Sequence, residues 1–274
     1  MTQIAQALRL SPLPVLESRM LMQHVTGLSR VQLITRDTEV LTPTQLAHWN
    51  TLLDRRIHGE PMAYILGERE FYGRMFTVNP SVLIPRSDTE VLIDAVLQDH
   101  IQQEQKRLRV LDLGTGSGAI AVTLAAERLS WDVWAVDVSA AALKIAQENV
   151  DTHAPTVQLL HSDWFSALAE PSASFDIIVS NPPYIAVDDA HLAQGDLRFE
   201  PRGALSDEAD GLRHYRHIIA NAPSFLNDGG RIYLEHGFEQ GADVRELLHQ
   251  AGFTKIQTMR DLAGHERVSI GIKG

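Results

Sequence analysis

The stretch Arg109-Val110-Leu111-Asp112-Leu113-Gly114-Thr115-Gly116-Ser117-Gly118-Ala119-Ile120-Ala121 decides the fold. An almost continuous apolar run meets three glycines at alternate positions, then a row of small and apolar residues. That order reads as a buried strand, a tight turn and the start of a helix. Glycine lets the backbone turn sharply and lets a ligand approach where a Cβ would clash. The spacing D-x-G-x-G-x-G departs from the dinucleotide pattern G-x-G-x-x-G and from a P-loop ending in Lys-Ser/Thr. The denser glycines suit a ligand without a pyrophosphate, whose amino-acid part lies across the loop.

Beyond this turn, strands and helices alternate. Strand candidates are 132–138 (DVWAVDV), 156–163 (TVQLLHSD), 175–181 (FDIIVSN) and 230–237 (GRIYLEHG), with helix-like segments at 119–128, 140–149 and 212–226. Near-continuous apolar strands between helices predict a parallel sheet covered on both faces, an α/β architecture. The segment 254–274 reads as two strands around a turn that finish the sheet antiparallel.

Upstream, residues 1–70 read as short helices. Leu16, Met20, Leu21 and Val25 recur at helical spacing, and Thr42-Pro43 is a cap and first-turn pair. That pair opens a helix through Leu46, Trp49, Leu53 and Arg56, ended by Gly59 and Pro61. Alternation with Gly, Asn and Pro then predicts a β-hairpin linker over 71–86. Ser87-Asp88-Thr89-Glu90 has the form of a capping box opening a helix over 91–97. The third division, 87–274, is the α/β domain.

The second strand of that domain ends at Asp137, nineteen residues after Gly118. A carboxylate there is placed to accept from two ribose hydroxyls. One strand later come Asp163 and Trp164, an acid for an adenine amine and a ring to pack on it. The competing reading is a plain tight turn with Asp137 as a helix cap; three elements in register at strand ends favour a ligand site.

The strand FDIIVS stops at Asn181-Pro182-Pro183-Tyr184. The prolines end the ladder and hold Asn181 extended. An NH2 conjugated to a carbonyl or a ring is a poor nucleophile. The Asn181 side chain and the Pro182 carbonyl could accept both of its N–H bonds and turn the lone pair toward a sulfonium methyl, with Tyr184 as a flat wall. Positioning and electrostatics would then matter more than a strong base. An ordinary Asn-Pro turn is the alternative.

Bulk properties narrow the field. The chain has 274 residues, 44% hydrophobic and 22% charged, enough for a sizeable core. No cysteine means no disulfide, thiolate metal site or cysteine nucleophile. A net charge of −11 disfavours a phosphate backbone as partner. The twelve histidines show no metal-ligand spacing, and no apolar run is long enough to span a bilayer. The expectation is a cytoplasmic monomer, without a metal, a membrane or direct nucleic-acid contact. His236, near the site, reads as core rather than catalytic. Glu200-Pro201-Arg202, after the acids Asp188, Asp189 and Asp196, is a lid or a substrate contact, or else a solvated loop.

The motifs 59–73 (GEPMAYILGEREFYG), 84–90 (IPRSDTE), DLGTGSGAIA, NPPYI, 198–205 (RFEPRGAL), 234–237 (LEHG) and 266–271 (ERVSIG) together resemble the HemK/PrmC family of peptide-chain release factor N5-glutamine methyltransferases. The resemblance covers nearly the whole chain and departs at Ser87, where the family often has Pro; Ser suits a helix cap. It implies a seven-stranded Rossmann-like class I methyltransferase domain behind a small N-terminal helical bundle that recognises substrate. It implies S-adenosylmethionine held by Gly114, Thr115, Gly116, Ser117, Gly118, Asp137, Asp163, Trp164 and Asn181. It also implies that Asn181, Pro182, Pro183 and Tyr184 grip the substrate amide, with Asn181, Pro182 and Tyr184 acting in catalysis. The implied substrate is the Gln of the Gly-Gly-Gln motif of class I release factors. A DNA or RNA amino-methyltransferase shares NPPY and the glycine loop but should carry a basic groove. A cofactor-binding adaptor without turnover would have no need of NPPY.

Overall fold

The computed structural model describes residues 1–103, 105–168 and 174–274, in two compact units, Met1–Glu68 and Arg69–Gly274. The first unit is helical: α1 (Ile4–Leu10), α2 (Val15–Thr26), α3 (Arg30–Thr35), α4 (Pro43–Ile57) and α5 (Met62–Leu66). Its core gathers Leu21, Met22, Leu33, Trp49 and Leu52. Of the apolar series along α2, Leu16 points outward at 68% exposure, and Met22 takes the core place beside Leu21. Arg56 of α4 reaches Glu17 of α2 with two N–H···O bonds of 2.8 Å, a fork that orients the pair. Thr42 and Gln45 form the reciprocal capping box at the start of α4. Thr42→Ala should therefore destabilise this unit by about 1 kcal/mol. Urea unfolding followed by Trp49 fluorescence measures it; an unchanged midpoint would show the box to be idle.

Strands β1 (Glu68–Phe71) and β2 (Arg74–Thr77) make a two-stranded hairpin around Tyr72-Gly73. Both turn residues have positive φ, 50° and 75°, the primed turn that matches strand twist. The hairpin is shorter than the alternation over 71–86 suggests. The ladder stops at Thr77, whose N–H and C=O are taken by the Asn149 side chain at 2.7 and 3.0 Å, and Pro80 and Pro85 follow.

The helix predicted over 91–97 forms, but the capping box predicted to open it does not. Ser87–Thr89 is a 3-10 turn, and α6 (Glu90–Asp99) starts without any side-chain cap. Glu90 of the box instead accepts from the Tyr72 N–H at 3.1 Å, and beside it the Thr89 hydroxyl accepts from Asn181 Nδ2 at 3.3 Å.

The sheet follows as β3 (Arg109–Leu113), α7 (Ala119–Glu127), β4 (Asp132–Asp137), α8 (Ala140–His153), β5 (Gln158–His161), β6 (Phe175–Ser180), α9 (Arg202–Leu205), α10 (Arg213–Phe225), β7 (Leu226–Glu235), α11 (Gly241–Gln250), β8 (Phe253–Arg260) and β9 (Glu266–Lys273). The seven strands lie in the order β5-β4-β3-β6-β7-β9-β8. Five run parallel, and β9 is antiparallel to both neighbours, as the alternation and the closing segment predict. Successive residues of β3 serve opposite faces: Val110 joins the core with α6, α7 and Trp131, while Leu111 and Leu113 join the core with α10 and Phe225. Winding reverses between β3 and β6, which opens a crevice at the carboxyl ends of those two strands, where α/β sheets bind ligands.

Candidate functional site

That crevice is where the glycine loop and Asn181 meet. Gly114, Gly116 and Gly118 have φ of 74°, 56° and 83°, so the loop needs glycine at each. The Gly114 and Thr115 N–H groups both donate to the Val136 carbonyl, at 2.9 and 3.0 Å, tying the loop to β4. Asp112 is fully buried beneath it and accepts from the Thr115 hydroxyl at 2.6 Å. Burial pushes the Asp112 carboxyl up to about 7, against the hydrogen bonds from Thr115 and the Ala121 N–H.

Asp137 ends β4 and is buried. One oxygen accepts from the Gly116 N–H and the other from the Ser139 N–H, each at 2.8 Å. Burial raises its pKa while these bonds and His161 lower it. Trp164 is held in a left-handed conformation, φ 50°, with its carbonyl accepting from the Ser162 hydroxyl at 2.8 Å. Its ring lies 3.4 Å from where a Gly114 Cβ would stand and packs on His214, with centroids 5.1 Å apart.

The glycine loop, Asp137, Trp164 and His214 line a cavity of about 360 Å³. Of the sequence-predicted residues it brings together Gly114, Thr115, Gly116, Ser117, Asp137, Asp163, Trp164, Asn181 and Pro183. Gly118 lies outside the lining: it starts α7, and the space a Cβ would need is 3.4 Å from Ala146 of α8. Pro182 and Tyr184 line an adjoining pocket of about 170 Å³, which shares Asn181 and Arg86 with the larger one. The loop backbone, the acids at two strand ends and the aromatic wall fit a nucleoside bearing an amino-acid tail. The adjoining pocket leaves room for a second reactant, and Asn181 belongs to both.

The Tyr184 carbonyl accepts from Gln240 Nε2 at 3.0 Å, and the Ile185 N–H donates to the Leu205 carbonyl at 2.9 Å. Burial, and after it the Glu235 charge, push the Tyr184 phenol up to about 12, so it stays neutral. Glu200 is no solvated residue. Its side chain is buried, it accepts from the Ile84 N–H at 3.0 Å and pairs with Arg86, fastening the segment 78–86 over the cavity. Arg202, by contrast, is exposed and pairs with Glu208 at 2.6 Å. His236 is a satisfied core residue, bonded to Ser269 Oγ and the Gly237 carbonyl at 2.9 Å each.

Sequence reasoning gave no site role to Arg86, Thr89 and His214, polar residues that line the cavity, or to Glu235 at the end of β7. Glu235 alone left a signal, an acid directly after the apolar run Ile232-Tyr233-Leu234 at the end of a central strand. Burial pushes its carboxyl up to about 7, while Thr89, Arg267 and Asn181 pull the other way. Among the described residues no group of three or more His, Asp or Glu side chains is placed to hold a metal, and no helix is long and apolar enough to cross a membrane.

Comparison with known proteins adds names to this geometry. Residues 1–67 match the PrmC N-terminal domain family, and residues 89–196 match the methyltransferase small domain family. The release factor glutamine methyltransferase of Bordetella pertussis is 51% identical over 271 residues, 99% of each chain. That of Neisseria gonorrhoeae is 50% identical over 264 residues, 96% of this chain and 95% of its own. Among solved structures, the T. thermophilus 16S rRNA N2 G1207 methyltransferase, in complex with AdoMet and guanosine, matches at TM-score 0.55 and 25% identity, over 76% of this chain and 50% of that one. The catalytic domain of hMettl16 matches at TM-score 0.59 and 16% identity, over 93% of this chain and 88% of that one, a likeness of fold.

Proposed function

The chain belongs to the release factor glutamine methyltransferase family, and from that premise we propose that it methylates the side-chain amide nitrogen of the Gln in the Gly-Gly-Gln motif of class I peptide-chain release factors. S-adenosylmethionine, when bound, supplies a sulfonium methyl open to in-line displacement. The observation that carries the reading is the place of Asn181, an amide side chain that lines both the large cavity and the adjoining pocket.

In this reading the loop from Gly114 to Ser117 holds the amino-acid part of the cofactor. Asp137 accepts from the ribose hydroxyls, and Asp163 and Trp164 hold the adenine. The substrate amide enters beside Tyr184. Asn181 Oδ1 and the Pro182 carbonyl accept its two N–H bonds, which turns the nitrogen lone pair toward the methyl group. The N–C bond forms as the C–S bond breaks, and the extra amide proton passes to water. No strong base is required, because the barrier falls by orientation and by oriented dipoles. The helical N-terminal unit recognises the release factor. The chain acts as a cytoplasmic monomer, and its net charge of −11 supports a partner other than bare nucleic acid.

The test is methyl transfer from labelled cofactor to three separate substrates: an intact release factor, a short Gly-Gly-Gln peptide, and pooled DNA and ribosomal RNA. A free peptide must be ordered on binding and lacks contacts outside the motif, so its kcat/KM should be roughly 10-fold or more lower than that of the whole factor. Mass spectrometry should find one added methyl on the Gln, and none when that Gln is replaced by Glu. Efficient transfer to nucleic acid with the release factor untouched would overturn the substrate assignment.

A further inference from the structure

Glu235 has no part in that reaction scheme, yet it stands beside the residue that does. The parallel register pairs Ser180 with Leu234, which makes Asn181 and Glu235 the next residues along neighbouring strands. Asn181 Nδ2 donates to the Thr89 hydroxyl at 3.3 Å, and the polar side chains of Thr89 and Asn181 both favour the ionised form of the Glu235 carboxyl beside them. That carboxylate is fully buried, and its Oε2 has no hydrogen-bond partner.

An ionised carboxylate only accepts hydrogen bonds, whereas the two ends of a carboxamide differ in sign. Facing Glu235 and Thr89, Asn181 gains by turning its NH2 inward, which leaves Oδ1 for the cleft. The opposite flip would set Oδ1 against the carboxylate and present donors to the donors of the incoming amide. We propose that Glu235 is a positioning residue which, with Thr89, locks the Asn181 carboxamide with its oxygen toward the substrate. The inference rests on the reading of Asn181 as an amide acceptor.

It carries a pH dependence. The charged and titratable groups facing the carboxylate are Arg267 of β9, Asp88 of the 3-10 turn, Tyr184 after β6 and Tyr215 of α10. Arg267 is also engaged by Asp261 at 2.9 Å and Asp88 at 3.4 Å, and burial is the larger influence, leaving Glu235 near 7. Protonation turns one carboxyl oxygen into a donor, which can satisfy Asn181 Oδ1 instead. The correctly oriented fraction then falls as pH drops through about 7.

The experiment uses the full chain and an intact release factor, with kcat measured at saturating S-adenosylmethionine from about pH 6 to about pH 8.5. Wild type should lose activity below about pH 7, approaching tenfold per pH unit. Glu235→Gln, which can donate as well as accept, should sit about tenfold or more below the wild-type plateau and show no inflection. Its cofactor dissociation constant should stay within about twofold of wild type, which a merely structural role would not predict. Thr89→Val should fall likewise, and Thr89→Ser should recover. Without substrate, the Asn181 side-chain amide resonances should titrate near pH 7 in wild type and not in Glu235→Gln. A wild-type plateau or a surviving inflection in Glu235→Gln overturns the proposal, as does an Asn181 amide that ignores pH. Should the amide titrate while no methyl reaches the release factor, the substrate reading fails and the positioning of Asn181 stands.

Discussion

Replacing Asn181 by Ala is expected to lower kcat for release-factor methylation by about 10²-fold or more, the scale of losing one preorganised polar contact at a reacting group. The affinity for S-adenosylmethionine should change little, because Asn181 is one residue at the edge of a cavity whose loop, acids and indole remain. The split follows from what the side chain does. A delocalised amide nitrogen attacks only when its N–H bonds are held, so the contact matters most at the transition state, and such a loss appears in kcat more than in binding. Thr89 would lose its hydrogen-bond partner in the variant, so circular dichroism and cofactor titration must show an intact fold. If turnover falls no further than cofactor affinity does, Asn181 serves the cofactor and the amide is gripped elsewhere.

Asp137→Ala should weaken S-adenosylmethionine binding by roughly 10²-fold, from the loss of charge-assisted hydrogen bonds to two hydroxyls. The same carboxylate accepts from the Gly116 and Ser139 N–H groups, so its removal also loosens the loop that it shapes. Asp137→Asn keeps one acceptor oxygen and should lose less. Calorimetric titration reads both, and a second readout follows by linkage: cofactor at ~100 times its dissociation constant should stabilise the wild type by about 2.7 kcal/mol, and the Ala variant far less at the same concentration. Equal affinity in mutant and wild type would remove Asp137 from the site.

The parts of this molecule legible in the sequence are those fixed by local chemistry. Parallel strands covered on both faces must be apolar throughout, so β3, β4 and β6 show themselves, and the positive φ at Gly114 and Gly116 leaves only glycine. Asp137 is readable because it follows the second strand at a fixed remove. Less legible are residues whose partners lie far along the chain. The tetrapeptide 87–90 satisfies the capping rule, but Glu90 serves the turn of the hairpin and Thr89 serves Asn181, 92 residues away. Glu200 resembles any loop acid until Ile84 and Arg86, more than 110 residues earlier, close on it. Helix α11 begins at Gly241 with no side-chain cap, so no start signal marks it.

Strand β9 lies between β7 and β8, and β8 precedes it in the chain. As the polypeptide emerges from N- to C-terminus, Phe253–Arg260 therefore appears before the strand it pairs with, because its one neighbour has yet to be made. The sheet fills inward at this side: an outer strand waits for the inner one to arrive. Arg267 rides on that late strand, so the cation facing Glu235 reaches the cleft only after every residue that lines it has been synthesised.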